Sequence, residues 1–548
     1  MKSYIEKIIK DTIQALNYPE VEFTVEPPKE EKFGDYSVNI AMLLARPLKS
    51  NPRKIAQEIL DNLKYDKKQF DKIEIAGAGF INFFFSNEYY HGILKYITEK
   101  GDSFGRLELN KGRKVNLEWV SANPTKPLHS GHGRQICLGK AIANMLEWSG
   151  YEVTREYYYN DAGNQMNLLA ESVYARYMEI FDKDFPFPEN GYKGDYIKEI
   201  AKEIYDEYGE KYKDSNELDF FRKYGEQYNF KLIRATLERL GIHHDVFFSE
   251  SSLYNDGSIK KLLTEFEERN LSYEKDGALW LKGRTDFEHE KDKVIIKNTG
   301  EYTYRLPDMA YHINKLERGF DLLIDIFGAD HSDTYKEVLH GIQLLDYDIS
   351  KIKVIIHQMV TFRMGDESVK MSGRFGTFYS LDNLLDDIGC DATQFFFIMR
   401  GANSQLDFDI ELAKEQSDKN PVYYLQYAHA RICGILRHST EVSEKIKNIV
   451  PDLSLLKEKD EIDLIKQLSM FPEELTSSLE FLEPHKIITY LNNVAAAFHR
   501  FYRNSRVINQ EDLNMTAARL ALCGAAKQVL KNGFSIIGIS APERMERE

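Results

Sequence analysis

A short polar segment in the first half of the chain has the residue types that phosphate chemistry requires. His129-Ser130-Gly131-His132 follows a proline and a leucine and precedes a helical pattern. The first amides of a helix offer hydrogen-bond donors and positive potential to phosphate. A glycine permits close backbone approach to a nucleotide, and imidazoles can donate hydrogen bonds to oxygens that gain charge during attack at an α-phosphate. We expect His129, Gly131 and His132 to bind ATP; the alternative is that one or both histidines are structural.

A basic loop much further along the chain offers a second phosphate contact. Residues 369–376 read V-K-M-S-G-R-F-G, in which the glycines permit movement. A cation on such a loop can close over the triphosphate and stabilise charge on the departing pyrophosphate. The sequence therefore predicts ATP contacts by Lys370, Met371 and Ser372, and an ordinary surface loop is the alternative.

The histidine segment lies between two predicted strands. Alternating apolar and polar residues at 114–119 predict a strand that ends at the polar turn 121–124. A helical pattern runs from His132 to a stop at Gly150, and residues 151–157 resume a strand pattern. A strand–helix–strand succession builds parallel sheets, whose ligands bind at the carboxyl ends of the strands. The histidine segment falls at that end.

The remaining residues are assigned to regions by the same criteria. We expect a small α+β module at 1–108, a sheet domain at 109–384 with an insertion at 165–290, and a helical domain at 385–548, with strands largely absent after 385. The expected elements are helices 5–16, 36–44 and 52–63 and strands 72–75 and 79–85 in the module, and strands 293–297, 322–327 and 353–357 continuing the parallel sheet.

Composition excludes several classes of protein. The 548 residues exceed what one hydrophobic core holds, so several domains are expected. A hydrophobic fraction of 43% argues against disorder, and a net charge of −15 argues against coating nucleic acid by bulk attraction. The four cysteines are too widely spaced for a metal or redox pair, and no leader or membrane-spanning apolar run is visible. We expect a cytoplasmic protein with no membrane contact, and a monomer, since no dimer interface is indicated.

The two phosphate segments, in this order around a predicted parallel sheet, resemble the paired signatures of class I aminoacyl-tRNA synthetases. Residues 118–129 (E-W-V-S-A-N-P-T-K-P-L-H), 156–165 (E-Y-Y-Y-N-D-A-G-N-Q) and 420–431 (N-P-V-Y-Y-L-Q-Y-A-H-A-R) resemble arginyl-tRNA synthetases, and the resemblance covers essentially the whole chain. It implies a Rossmann-like catalytic domain with an insertion, an N-terminal α+β domain that contacts the tRNA elbow, and an all-α anticodon-binding domain. It also implies activation of L-arginine with ATP and magnesium, dependent on bound tRNA, and transfer to the terminal adenosine of tRNA-Arg.

One departure from the class I pattern bears on catalysis. The loop reads K-M-S-G-R where K-M-S-K-S is usual, so its second lysine is absent. Arginyl synthetases with this variant resemble one another in placing a substitute lysine where Lys126 stands, shortly before His129. We therefore expect Lys126 to supply the missing charge to the phosphates, with Lys370 and Arg374 assisting, and a solvated loop lysine is the alternative. The expected catalytic residues are His129, His132, Lys126 and Lys370.

A pocket for arginine must present carboxylates to a planar guanidinium that stays protonated. By resemblance, the expected arginine-binding residues are Glu118, Asn123, His132, Glu250, Tyr304, Asp308 and His331. The first three are assigned to the ammonium and carboxylate of the substrate and the next three to its guanidinium. The last follows a predicted strand and is assigned to the ribose or the aminoacyl group. Each carboxylate taken singly has a surface ion pair as its alternative.

The stretch 423–431 mixes aromatic, polar and basic residues, and unstacked RNA bases can lie on such rings. An aromatic stripe at helical spacing is more often core, so only part of it is expected to contact tRNA. The expected tRNA-binding residues are Tyr427, Arg431 and Arg437.

Two other interpretations remain open at this point. A different nucleotidyltransferase, or a synthetase for another amino acid, would share the phosphate segments, although Glu118, Tyr304 and Asp308 argue against it. A tRNA-binding paralogue without catalysis would not require both phosphate segments and the acidic pocket. Magnesium is expected to arrive with ATP, and no protein metal site is predicted.

Overall fold

A computed structural model describes residues 1–161, 163–213, 215, 217–283, 291–365, 367–369, 379–439 and 445–545, with backbone alone at 367–369. Within these residues no helix is long and apolar enough to cross a membrane.

The N-terminal module packs helices against a four-stranded antiparallel sheet of order β1-β2-β4-β3. The expected helix over 36–44 is partly wrong, because Tyr36 and Val38 are buried and alternate with Ser37 as a strand, and the helix begins only at Ile40. The elements are α1 Lys2–Ala15, β1 Val25–Glu26, β2 Tyr36–Val38, α2 Ile40–Leu48, α3 Pro52–Asn62, β3 Phe70–Ala76, β4 Phe80–Phe85 and α4 Asn87–Lys100.

The central region contains the sheet that positions the candidate site. Its elements are, in chain order, β5 Lys114–Glu118, α5 Gly133–Trp148, β6 Glu152–Tyr159, α6 Asn164–Met178, α7 Asp195–Tyr208, α8 Leu218–Arg239, β7 Val246–Ser249, α9 Glu250–Asn255, α10 Ser258–Glu268, β8 Ser272–Lys275, β9 Ala278–Leu281, β10 Lys293–Ile296, α11 Arg305–Glu317, β11 Leu322–Gly328, α12 Thr334–Gln343 and β12 Ile352–His357.

Five parallel strands form this sheet in the order β12-β11-β5-β6-β7. Parallel pairing places the carboxyl ends of all five strands at one edge of the sheet. The last residues of β5, β6, β7 and β12, which are Glu118, Tyr159, Ser249 and His357, therefore lie along that edge. The predicted strands at 114–119, 151–157, 322–327 and 353–357 are confirmed.

Two expectations for this region are wrong. The strand over 293–297 does not continue the parallel sheet, because β10 pairs antiparallel with β9 in a separate sheet that also contains β8. The stretch 165–290 is not one continuous insertion either, because the chain returns to the main sheet at β7, which pairs with β6. Strand β7 is short and reads V-F-F-S, without the alternation that identifies a strand in sequence.

The last part of the chain is mainly helical, as expected. Among the residues that the structure describes after 385, one strand is present, β15 (Leu406–Asp409), and it pairs parallel with β13 (Val360–Met364). Helix α13 breaks at Gly389, whose φ of 80° is left-handed. The elements are β13 Val360–Met364, β14 Glu367–Val369, α13 Leu381–Ile398, β15 Leu406–Asp409, α14 Ile410–Lys414, α15 Pro421–His438, α16 Lys459–Ser469, α17 Phe471–Phe481, α18 Pro484–Asn504 and α19 Leu513–Ile537.

Candidate active site

The histidine segment forms one 3₁₀ turn, Ser130–His132, that leads directly into α5. The N–H of Gly131 donates to His129 Nδ1 at 3.1 Å, and the N–H of His129 donates to His132 Nδ1 at 3.2 Å. Because both Nδ1 atoms accept, each neutral ring carries its proton on Nε2. The two rings lie against each other with centroids 3.7 Å apart and an interplanar angle of 34°. The sequence predicts this pair at the ATP site. In the structure, the Nε2–H of each ring can act as a hydrogen-bond donor.

Burial keeps these two imidazoles uncharged. Burial, together with the nearby charge of Lys126, lowers the pKa of His129 to about 4. Burial lowers the pKa of His132 to about 3, with His129, Lys126 and His357 also contributing. Lys126 therefore lies close to both histidines, and burial lowers its own pKa. Sequence analysis missed His357, which ends β12 as a polar residue at the ligand edge of the sheet.

The turn is packed so tightly that its glycines cannot be replaced freely. A Cβ at Gly131 would lie 2.8 Å from the ring of His129, and a Cβ at Gly133 would lie 2.3 Å from the ring of Phe397. Backbone hydrogen bonds also join the turn to the segment after the basic loop, since the N–H of Ser130 donates to the carbonyl of Tyr379 at 3.3 Å. The loop residues Lys370, Met371, Ser372 and Arg374 lie outside the described residues.

A buried ionic network lies beneath the end of β5. Lys315 Nζ is 2.8 Å from Glu118 Oε2 and 2.5 Å from Asp325 Oδ1, and all three side chains are almost completely buried. His312 Nε2 lies 3.0 Å from the other oxygen of Asp325. Burial raises the pKa of Glu118, and Lys315 opposes the rise. The hydroxyl of Ser121 donates to Glu118 Oε1 at 2.9 Å. Sequence analysis missed Lys315, since a lysine on an amphipathic helix is usually solvated.

A second carboxylate, Asp308, lies near Glu118, and it forms no salt bridge within the described residues although His312 and Lys315 are close enough to lower its pKa. Burial raises the pKa of Asp308 to about 7, with His312 opposing the rise and Glu250 and Glu118 adding to it. Within the described residues, no hydrogen bond to its carboxylate is present. Desolvation of a partly buried carboxylate without partners costs free energy, and a charged ligand that pairs with it relieves that cost.

The third carboxylate, Glu250, begins α9 and is held by donors on β6. Its Oε2 accepts from the hydroxyl of Tyr158 at 2.7 Å and from the side-chain amide of Asn160 at 2.9 Å. Its Oε1 accepts from the hydroxyl of Tyr254 at 3.2 Å. Burial raises the pKa of Glu250, while the two tyrosines lower it. The fold thus brings together three acids that are far apart in sequence, in an arrangement that suits a cation.

Asn123 lies on the loop after β5, at the same edge of the sheet. Its Oδ1 accepts from the N–H of Asn160 at 3.1 Å, and its amide donates to Gln165 Oε1 at 2.9 Å. Val120 and Ser121 turn the chain here with φ values of 72° and 41°. Both are left-handed, which costs energy in residues that carry a Cβ and is common at functional sites. Sequence analysis missed Tyr158 and Asn160, although polar residues at the end of a parallel strand are a usable signal.

Comparison with known proteins decides the family. Residues 94–400, more than half of the chain, match the family described as tRNA synthetases class I (R), catalytic domain. The chain belongs to the arginyl-tRNA synthetase family. Residues 3–85 match the arginyl tRNA synthetase N terminal domain, and residues 425–545 match the DALR anticodon binding domain.

Individual relatives agree over the full length of the synthetase. This chain is 47% identical over 529 residues to the arginine–tRNA ligase of Desulfotalea psychrophila, and the match covers 95% of each chain. It is 46% identical over 553 residues to that of Chlorobaculum tepidum, covering 100% of both. A solved structure of a putative arginyl-tRNA synthetase from Campylobacter jejuni aligns with a TM-score of 0.77 at 31% identity, over 84% of this chain and 100% of that one. Arginyl-tRNA synthetase from Thermus thermophilus aligns with a TM-score of 0.77 at 22% identity over 100% of both chains, which shows the shared fold.

These matches confirm the predicted family, fold class and ligase activity. The synthetase uses ATP, arginine and tRNA-Arg. They also remove the interpretation of a nucleotidyltransferase or a synthetase for another amino acid.

Two expected arginine-binding residues of the synthetase, Tyr304 and His331, are more exposed than the three acids. Tyr304 precedes α11 and its side chain is exposed, with its hydroxyl 3.5 Å from Glu337. Asp308 is nevertheless among the groups that raise its pKa after burial, so the two are near each other. His331 is 57% exposed and lies 3.6 Å from Asp330.

The residues expected to contact tRNA lie on α15 of the synthetase. The guanidinium of Arg431 lies 4.5 Å from the ring centroid of Tyr502 on α18 and 5.9 Å from that of Tyr427. The guanidinium of Arg437 instead donates to the carbonyl of Glu543 at 2.8 Å. Arg431 and Tyr427 thus share a partly exposed aromatic and basic surface, whereas Arg437 binds the C-terminal segment of the chain.

Proposed function

We propose that this synthetase binds the guanidinium of arginine between Asp308 and Glu250. The observation that carries this proposal is the carboxylate of Asp308, which is only partly buried, whose pKa is raised to about 7 by desolvation, and which accepts no hydrogen bond within the described residues. A guanidinium remains charged under all physiological conditions and donates paired hydrogen bonds to carboxylates. Tyr304 closes this end of the pocket from the rim.

At the other end of the pocket, Glu118 and Asn123 bind the ammonium and carboxylate of the substrate, with His132 beside them. Lys315 supports this role, because it holds Glu118 Oε2 at 2.8 Å in a fixed buried position. His331 lies near the ribose or the aminoacyl group. The substrate carboxylate then faces the histidine turn, where ATP binds.

Catalysis at this turn needs no general base, since the arginine carboxylate is itself the nucleophile. The neutral rings of His129 and His132 donate hydrogen bonds to the α-phosphate as charge accumulates on it, and Gly131 allows the close approach. Lys126 adds positive charge in place of the absent loop lysine, together with Lys370, while Met371 and Ser372 complete the loop over ATP. Magnesium arrives bound to the triphosphate; the described residues contain no group of His, Cys, Asp and Glu side chains that could hold a metal ion.

The helical domain binds tRNA-Arg through Tyr427 and Arg431, with Arg437 as a weaker contact, and arginine activation depends on that tRNA. We place the domain borders near 108 and 384. We also propose a cytoplasmic monomer; the four free cysteines are those of a reducing compartment, and light scattering tests the oligomeric state.

Pyrophosphate exchange with the purified enzyme tests this function. We expect exchange with arginine and tRNA-Arg together and much less with arginine alone. Lysine and citrulline serve as controls, because the first lacks the planar fork and the second lacks the charge. Exchange driven by either control to the same extent as by arginine would contradict the proposed pocket, and equal exchange without tRNA would contradict the tRNA dependence.

A further inference from the structure

Asn160 contacts both ends of the proposed arginine pocket. It follows β6 directly, and its backbone N–H donates to Asn123 Oδ1 at 3.1 Å. Its side-chain amide donates to Glu250 Oε2 at 2.9 Å. Asn123 belongs to the end that binds the substrate's amino-acid group, and Glu250 belongs to the end that binds the guanidinium. One residue therefore joins the two ends through two hydrogen bonds.

The backbone that carries Asn160 is held on the side of the β5 loop. The hydroxyl of Tyr157 donates to the carbonyl of Ala122 at 2.7 Å, and the N–H of Tyr158 donates to the hydroxyl of Ser121 at 3.2 Å. Both hydrogen bonds join the carboxyl end of β6 to the loop that contains Asn123. The position of Asn160 relative to Asn123 is therefore set by several bonds.

The same strand end is also held on the side of Glu250. Tyr159 pairs with Ser249 across the sheet, so the strand that precedes Glu250 is in register with β6. Asp161 accepts from the hydroxyl of Ser249 at 2.6 Å and from the N–H of Ser251 at 2.9 Å. These two serines flank Glu250 in sequence, so Asp161 fixes the start of α9. Glu250 cannot shift away from Asn160 without breaking these contacts.

We propose that Asn160 is a positioning residue that sets the distance between Asn123 and Glu250, and thereby the length of side chain that the enzyme accepts. This inference rests on the proposed function, which assigns Asn123 and Glu250 to opposite ends of the substrate. A guanidinium on a side chain that is one methylene shorter or longer would miss Glu250 or displace it. Displacement would cost one of the two bonds of Asn160, so the enzyme selects arginine over both homologues.

Tyr254 provides a matched control within the same carboxylate. Its hydroxyl donates to Glu250 Oε1 at 3.2 Å, but Tyr254 lies on α9 itself, as Glu250 does. Loss of that hydroxyl removes a donor to Glu250 without changing the connection to Asn123. A variant of Tyr254 therefore reports loss of support for the carboxylate alone.

The experiment measures kcat/KM for aminoacylation of tRNA-Arg with arginine, with homoarginine and with the homologue one methylene shorter. We compare wild type, Asn160→Ala and Tyr254→Phe. Misfit by one methylene typically changes kcat/KM by about 10-fold or more. We expect Asn160→Ala to raise the KM for arginine and to reduce the preference for arginine over homoarginine by about 10-fold. Tyr254→Phe should raise the KM for arginine and leave that preference unchanged, and the KM for ATP should change in neither variant.

Equal losses for all three substrates in Asn160→Ala would overturn the proposal, as would a wild-type enzyme without preference among them. Asn160→Leu keeps a similar side-chain volume and loses the donor to Glu250 without adding a charge beside it, so it gives the same test if the alanine variant does not fold. Glu250→Gln separates this inference from the proposed function. A normal arginine KM in Glu250→Gln would overturn the pocket itself. A raised KM there, together with an unchanged preference in Asn160→Ala, would overturn only the role of Asn160.

Discussion

The ATP end and the arginine end of the site respond to burial in opposite ways. At the ATP end, burial lowers the pKa of His129 to about 4 and of His132 to about 3, so both rings are neutral donors at physiological pH. At the arginine end, burial raises the pKa of Asp308 to about 7 and also raises that of Glu250. Desolvation disfavours the charged form in every case. The comparison teaches that one physical cause favours the uncharged form in both regions: it leaves neutral donor rings at the proposed ATP end, and at the proposed arginine end it leaves carboxyls whose charge a bound cation would restore.

Asp308→Asn should have the largest effect of the variants proposed here, and that effect should be confined to the arginine end. Removing one partner of a buried charged pair costs about 2–5 kcal/mol, so kcat/KM for arginine should fall by at least about 30-fold. The KM for ATP should stay within about 2-fold, because the histidine turn is not altered. Steady-state aminoacylation with each substrate varied in turn measures both constants.

Glu301→Gln is the matched control, since Glu301 is an exposed acid in the same region that pairs with Lys297 at 3.0 Å. It should leave both constants unchanged. A comparable rise in the KM for ATP in Asp308→Asn would show that the two ends are not separable.

Lys126→Ala should lower the rate of arginine activation through the ATP end of the site. Loss of a cation beside the phosphates should slow arginine activation by at least about 10-fold, with the affinity for tRNA nearly unchanged. Pyrophosphate exchange in the presence of tRNA-Arg and a filter-binding assay measure the two quantities. Lys111→Ala, at an exposed lysine 3.3 Å from Glu108, is the control. Near-normal activation in Lys126→Ala would refute the role of this residue.

The pH dependence distinguishes the two ends without a mutation. Asp308 has a raised pKa of about 7, so its ionised form is present above pH 7 and is lost as the pH falls. The KM for arginine should therefore rise from pH 8 to pH 6 by up to about 10-fold, one pKa unit being about 1.4 kcal/mol.

The KM for ATP should remain flat once the titration of ATP itself is corrected for, because the histidines do not titrate in this range. Asp308→Asn should also remove the rise in the KM for arginine. A rise that persists in this variant would mean that another group, such as Glu250 or Glu118, controls it.

Arg431→Ala should have the smallest effect and should change neither end of the site. We expect the KM for tRNA-Arg to rise a few-fold and the salt dependence of tRNA binding to fall by about one unit of slope. Arg269→Ala, at a surface arginine that pairs with Asp346 at 2.9 Å, serves as the control. An unchanged tRNA KM in Arg431→Ala would move the contact elsewhere on the helical domain.

Local sequence patterns predicted correctly those strands in which the apolar residues are the residues that a sheet buries. The strands at 322–327 and 353–357 are apolar runs that any parallel sheet would bury, and both were predicted correctly. Strand β5 shows the limit, because its Asn116 and Glu118 look like a solvated face. In the structure both are buried, and the amide of Asn116 donates to Glu156 Oε2 at 2.6 Å. The error at β10 has the same origin, since strand partners depend on distant residues.

The sequence by itself was enough to predict two phosphate-binding segments and, through the resemblance of its short runs to a known family, the class of enzyme and its amino acid. A resemblance of this kind depends on residue types in order along the chain, so it can be read without coordinates. Only the tertiary structure brought Glu118, Glu250 and Asp308 close to one another, paired Lys315 with the first of them, and joined Asn123 to the second through Asn160. The reason is physical: shifted pKa values and the distance between two ends of a site arise from desolvation and from contacts between strands. Neither exists until the chain has folded.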